Sequence, residues 1–268
     1  MHLVATVQPV PELEAAAGAL VEAAGMTAAE ARMRLAPEPP AILARLPAER
    51  ARAVVAALAR AATKALAIDD DVPTDTDRFR VRSFALGESG ARFTNRGGET
   101  LELQWDTVRL VLRGIRSERT TTAHTESRTQ FSLGRTVLSG GLVLTKKTSS
   151  TVHGHEESAE QFILVHGEAG ERVLLSERTL EFTGLGPLLQ PARTANLGVL
   201  AQELKRHAPR AFHDDRLLRL GRRALPFVVG GDRTVRAGGS EVRKQDTRGS
   251  VDVLAEVLDR AVREGLLG

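Results

Sequence analysis

From Thr100 onward, apolar residues recur at every second position, and nearer the ends of the chain they recur at every third and fourth. Leu101, Leu103 and Trp105 fall on one side of an extended chain and Glu102, Gln104 and Asp106 on the other, the pattern of a strand with one buried face. Past Asp106 and Thr107 the apolar set becomes Val108, Leu110 and Leu112, so the register slips and a bulge or turn is predicted there. Leu142 with Leu144, the run Phe162 to Val165, Val173 with Leu175, and Leu180 with Phe182 continue the theme between Gly and polar residues. Antiparallel strands are the prediction. Leu197, Leu200, Ala201 and Leu204 then lie at helical spacing, with Thr194 as the cap and Pro209 just past the end. One amphipathic helix closes the sheet.

The first 70 residues alternate between the two periods. His2 to Val7 reads as a strand, and Leu13, Ala16, Ala17, Leu20 and Ala24 as a helix face ending at Gly25, which tolerates the left-handed conformation found just past helix ends. Thr27 and Glu30 have the spacing of a capping box for a second helix, which stops before Pro37, Pro39 and Pro40. A strand at Ala41 to Leu46 follows. Ala51, Val54, Val55 and Leu58 make a third helix face, and Lys64 to Ile68 a last strand.

This order, together with the run Gly25-Met26-Thr27-Ala28-Ala29-Glu30-Ala31-Arg32, resembles the C-terminal domain of the bacterial ribosomal stalk protein L7/L12. In that family the helix pair recruits translational GTPases through lysines and an arginine. The corresponding positions here are Gly18, Val21 and Ala29, with Arg32 alone keeping its charge. What the resemblance implies is a protein-binding α/β module.

Asp69 to Asp77 is acidic and turn-rich, and it is read as a solvated linker at 71–77. Residues 78–209 are predicted to form a mainly antiparallel β domain closed by the helix. Their element order is similar to a pleckstrin-homology-like barrel. Within them SERTTTAHTESRTQ alternates without an apolar face and is read as an exposed loop or a ribbon leaving the barrel. Residues 210–249 read as a basic, loop-rich extension. Ser250 caps a final helix in 250–268, whose Val251, Leu254, Leu258 and Ala261 make one apolar stripe ended by Gly265, to dock on the parent domain or on a partner. The predicted fold class is therefore α+β.

Composition narrows the classes. Across 268 residues hydrophobic content is 42% and charged content 26%, ordinary for a globular protein, while aromatic residues make up 3% with no Tyr, so the cores must be built from Ala, Leu and Val. With no cysteine, disulfides and thiolate chemistry are excluded. The opening residues lack a basic leader, and no stretch is long enough to span a bilayer. A cytoplasmic location, in a bacterium, is the expectation. The net charge of +3 is uneven: residues 1–77 hold seven Lys or Arg against eleven Asp or Glu, and residues 216–248 nine against three. The basic 216–248 segment suits an anionic partner, with nucleic acid as one alternative.

Three residues form the strongest chemical candidate. His153-Gly154-His155 followed by Glu160 and Gly167 resembles the first motif of the cupins, which implies a facial metal site on His153, His155 and Glu160. Lys147 replaces the Gly that opens that motif, and no His lies between His166 and His207 to supply the second. His213, Asp214 and Asp215 read as a solvated turn, and Ser139-Gly140-Gly141 lacks the ending of a phosphate loop. No residue is assigned a catalytic, cofactor-binding or metal-ligating role. The sequence points to a non-enzymatic interaction or adaptor protein with a protein partner, the cupin-like enzyme and the nucleic-acid-associated protein standing as alternatives.

Overall fold

Both faces of the first strand are buried, and this organises the chain. β1 (His2–Thr6) sends Val4 toward one core and Leu3, Ala5 and, just beyond it, Val7 toward another, as the two-residue period of a strand requires. A computed structural model describes residues 1–131, 145–228, 232–237 and 240–267, with side chains for 1–122, 157–228 and 245–267. It is a mixed α+β protein. No helix among the described residues is long and apolar enough to cross a membrane.

β1 lies between β2 (Ala41–Leu46) and β3 (Ala65–Asp69), antiparallel to both. Helices α1 (Leu13–Ala24), α2 (Ala28–Leu35) and α3 (Ala48–Arg60) cover one face through Ala16, Leu20, Leu35, Val54 and Leu58, packed with Val4 and Leu43. The cap expected at Gly25 holds, and at Thr27 one half of the expected capping box does, Glu30 pairing with Arg34 instead. Gly25 has φ 72°, and Thr27 Oγ1 accepts the Glu30 N–H at 3.2 Å.

The chain divides into two units: residues 1–117, 159–229 and 247–268, and residues 118–158 and 230–246. In the first unit β4 (Phe79–Leu86), β5 (Gly90–Asn95) and β6 (Thr100–Gln104) form an antiparallel meander. Its neighbours are β9 (Arg172–Ser176), β8 (Thr145–Gly167) and β7 (Val108–Phe131), with β10 (Phe212–Asp214) parallel to β7. Among the described residues β6 pairs only with β5, so the sheet is not closed into a barrel, which corrects the barrel expected for 78–209. The register slip after Asp106 is a 3₁₀ turn over Trp105–Thr107, after which Val108, Leu110 and Leu112 are buried.

α4 (Arg193–His207) lies on one face of this sheet through Leu197, Leu200 and Leu204, among Val111, Ile163, Val165, Val173 and Leu175. Its N-cap is Ala192, not Thr194, whose hydroxyl donates to Glu177 at 2.5 Å. The other face, carrying Leu110, Leu112, Phe162, Leu164 and Leu174, packs on α6 (Arg248–Arg263), and α6 in turn packs on Leu3, Ala5, Ile42 and Leu66. α6 thus docks in cis between two sheets. The stripe read from sequence is only part of what the helix buries, since Val253, Ala255 and Val257 are buried as well. Ser250 does not cap it: the N-cap is Thr247, and Ser250 Oγ accepts the Leu225 N–H.

The segment 210–249, read as loop-rich, carries β10, the short helix α5 (Leu217–Leu220), β11 (Asp232–Ala237) and β12 (Ser240–Asp246). In the second unit β11 and β12 form an antiparallel hairpin, and β12 pairs with the Glu118–His124 part of β7. The polar stretch after Ser117 is accordingly a ribbon strand rather than a loop.

Candidate functional site

The run Phe79-Arg80-Val81-Arg82 alternates, and β4 resolves it by turning Val81 into the core and leaving Arg80 and Arg82 exposed. A bulge between Val81 and Ser83 interrupts the pairing with β5 at Arg82. Arg80 and Arg82 line an open groove of about 790 Å³ whose walls are the β5–β6 turn, with Arg96, and the turn after β9, with Arg178. Asp77, Glu99 and Glu181 also border it.

Each wall is held by its own hydrogen bonds. Asn95 Oδ1 accepts the N–H groups of Gly97 (2.9 Å) and Glu99 (3.0 Å), and its Nδ2 donates to Glu99 Oε2 at 2.6 Å, which fixes the turn that carries Arg96. Ser176 O accepts from Thr179 and Leu180, and Glu160 Oε1 accepts the Arg178 N–H at 3.4 Å. Arg82 Nε donates to Glu181 Oε1 at 2.8 Å. Among the described residues Arg80, Arg96 and Arg178 have no side-chain partner, and all three are exposed.

A chain of buried and half-buried charges meets the groove at Arg78 and at the Arg178 backbone. Glu160 accepts from Ser176 Oγ and, at 3.0 Å, from Arg116 Nε. Arg116 Nη1 donates to Asp75 at 2.5 Å, Asp75 pairs with Arg78 at 3.1 Å, and Arg78 Nη1 reaches Asp252 of α6 at 2.5 Å. Burial pushes the Glu160 carboxyl up, but Ser176 and Arg116 outweigh it and leave the group below the usual range. Burial dominates at Asp252 and raises it despite Arg78. A second nest surrounds Asp259: His166 Nδ1 lies at 3.0 Å, Arg109 Nη2 at 2.6 Å and Arg263 Nε at 3.1 Å. There too burial raises the carboxyl, and His166 with Arg109 holds it well below the ordinary value. Buried carboxylates placed this way are committed to partners, which is what makes their burial tolerable.

The residues singled out from sequence fall elsewhere. Glu160 has both carboxylate oxygens engaged inside the first unit. The backbone of His153 and His155 belongs to β8 in the second unit, and their side chains lie outside the described residues. Among the described residues no three His, Asp or Glu side chains are grouped to hold a metal. Ser139-Gly140-Gly141 and Leu142 with Leu144 also lie outside the described residues. His213 Nε2 is 2.9 Å from Ala208 O, and Asp214 pairs with Arg216. In the basic segment Arg216 also donates to Val7 O, and Arg219 pairs with Glu38, so those two cations are used internally. The linker is not simply solvated, since Asp70 pairs with Arg45 and the N-terminal amine, and Asp75 with Arg78 and Arg116. Arg80, Arg96 and Arg178 were not singled out in the sequence. The available signal was the Arg-x-Arg alternation in a strand whose other residues are apolar.

Comparison with known protein families, with curated proteins and with solved structures finds no match to this chain.

Proposed function

We propose that the chain is a non-catalytic, cytoplasmic adaptor that binds an anionic side chain of a partner protein in the arginine-lined groove. The observation that carries this reading is the set of three exposed guanidinium groups, from Arg80, Arg96 and Arg178, without a side-chain partner among the described residues, around one groove, while Arg82 is neutralised by Glu181. Exposed arginines on turns held by side-chain hydrogen bonds are preorganised donors for carboxylate or phosphate groups. The element order of residues 1–70, strand–helix–helix–strand–helix–strand, supports reading that part as a protein-binding module of the stalk-domain type.

The test is a titration of the isotopically labelled protein with peptides that each carry a single carboxylate or phosphate side chain. The amide signals of residues 79–82, 95–99 and 178–181 should shift together, with affinity falling as salt rises. Shifts confined to other regions, or none at all, overturn the proposal.

A further inference from the structure

We infer that the groove recognises a phosphorylated side chain on an extended, otherwise basic segment of a partner protein. This rests on the reading of the groove as an anion-binding surface and goes beyond it by naming the group bound.

The first argument is the number of donors. A carboxylate occupies one guanidinium, as Glu181 does with Arg82. Three further guanidiniums around the same groove call for a group with more oxygens and more charge. A phosphomonoester carries nearly two charges and three acceptor oxygens, so it can accept from more than one guanidinium at once. Every cationic side chain that lines the groove is an arginine, whose planar fork suits phosphate oxygens better than an ammonium does.

The second argument is size and sign. A groove of about 790 Å³ is much larger than one phosphate and lies in the range that holds a ligand of several residues or rings. The carboxylates of Asp77 and Glu99 also border it. Asp77 is held below the usual carboxylate range by the Thr74 N–H and hydroxyl, and Glu99 is tied in place by Asn95 Nδ2. Such charges repel a bare polyanion such as nucleic acid, and they attract Lys or Arg side chains flanking a phosphate. A mixed lining of this kind matches a phosphorylated basic segment.

Glu160 is a positioning residue here. It binds the Arg178 N–H on the same carboxylate that holds Ser176 and Arg116, so it sets where the Arg178 side chain starts.

The experiment uses the full chain and three degenerate nonapeptide libraries that differ only at the central residue: phosphothreonine, threonine or glutamate. Binding is read by fluorescence anisotropy, with inorganic phosphate as competitor. The expected result is at least tenfold tighter binding of the phosphothreonine library, enriched in Lys and Arg beside the phosphate and displaced by inorganic phosphate. A triple Arg80→Ala, Arg96→Ala, Arg178→Ala variant should lose that binding at least tenfold, whereas removal of Arg52, Arg60 and Arg222, exposed elsewhere, should change it less than twofold. Equal binding of the phosphothreonine and glutamate libraries overturns the inference and leaves the anion-binding reading standing. Failure of all three libraries overturns both. Tight binding of a mononucleotide with none of the peptides overturns the inference in favour of a small-molecule site.

Discussion

Arg78 and Asp252 stand 174 positions apart and meet inside the protein, Nη1 to Oδ1 at 2.5 Å, joining the start of β4 to α6. Arg78 also donates to Asp75 and to Pro73 O, so one guanidinium fixes a turn, a strand and a helix. Arg78→Met is expected to cost about 3–5 kcal/mol, because Asp252 stays buried without its partner. The double variant Arg78→Met, Asp252→Leu should recover most of the loss. Urea midpoints of the three proteins measure this, and a double variant no more stable than the single one contradicts it.

Two buried carboxylates of α6, Asp252 and Asp259, respond to acid in opposite directions. Asp259 is held below its unfolded value, so its contribution is present above about pH 4 and is lost as pH falls through the folded value. Asp259→Asn should therefore be markedly less stable than the wild type at pH 7, with the gap closing below about pH 4. Asp252 is raised, so the folded state takes up its proton first and gains stability as pH falls toward about 4. The Asp252→Asn deficit at pH 7 should be the smaller of the two, and it should widen on acidification. Thermal unfolding from pH 3 to pH 8 reads both slopes, and parallel slopes would contradict this assignment.

Gly221 sits where any side chain would collide. A Cβ there would lie 1.9 Å from Ile115 O, while the Gly221 carbonyl accepts from Thr247 Oγ1 at 2.6 Å. Gly221→Ala must push α5 off β7 or break the Thr247 bond, and a loss on the order of 2–4 kcal/mol is expected. Gly18 is the contrast, because a Cβ there would meet nothing within 4 Å. Gly18→Ala, in the middle of α1, should stabilise by about 0.5–1 kcal/mol. Denaturant unfolding of the pair tests both signs.

Leu258 is fully buried in the cluster shared by α6 and both sheets. Leu258→Ala should cost about 2–5 kcal/mol, whereas Leu13→Ala, on the exposed side of α1, should stay within about 0.5 kcal/mol. Equal midpoints for the two variants would mean that α6 does not occupy this core.

Local pattern carried much of the fold. Alternation in Leu101, Leu103 and Trp105, its slip at Asp106, and the helical spacing of Leu197, Leu200 and Leu204 each depend on neighbours in sequence, and each is in the structure. The two-sided burial of α6 was not legible, because Val253 and Val257 fall outside the Val251, Leu254, Leu258, Ala261 stripe and acquire meaning only when a second sheet arrives. The ion chain from Glu160 to Asp252 was equally hidden, since its members are drawn from positions 75, 78, 116, 160 and 252. The His-x-His run is a purely local pattern, whereas the groove arginines come from one strand and two turns that only the fold brings to one groove.

The helix between the sheets also sets an order of events during synthesis. β1 to β3 are translated early with an oily underside, Leu3, Ala5, Ile42, Leu66 and Ile68, whose cover is α6, and Gln8 waits for the carbonyl of Leu266, 258 positions later. Until then the nascent chain displays that surface to the cell, so a ribosome stalled before residue 248 presents a chaperone substrate rather than a finished module.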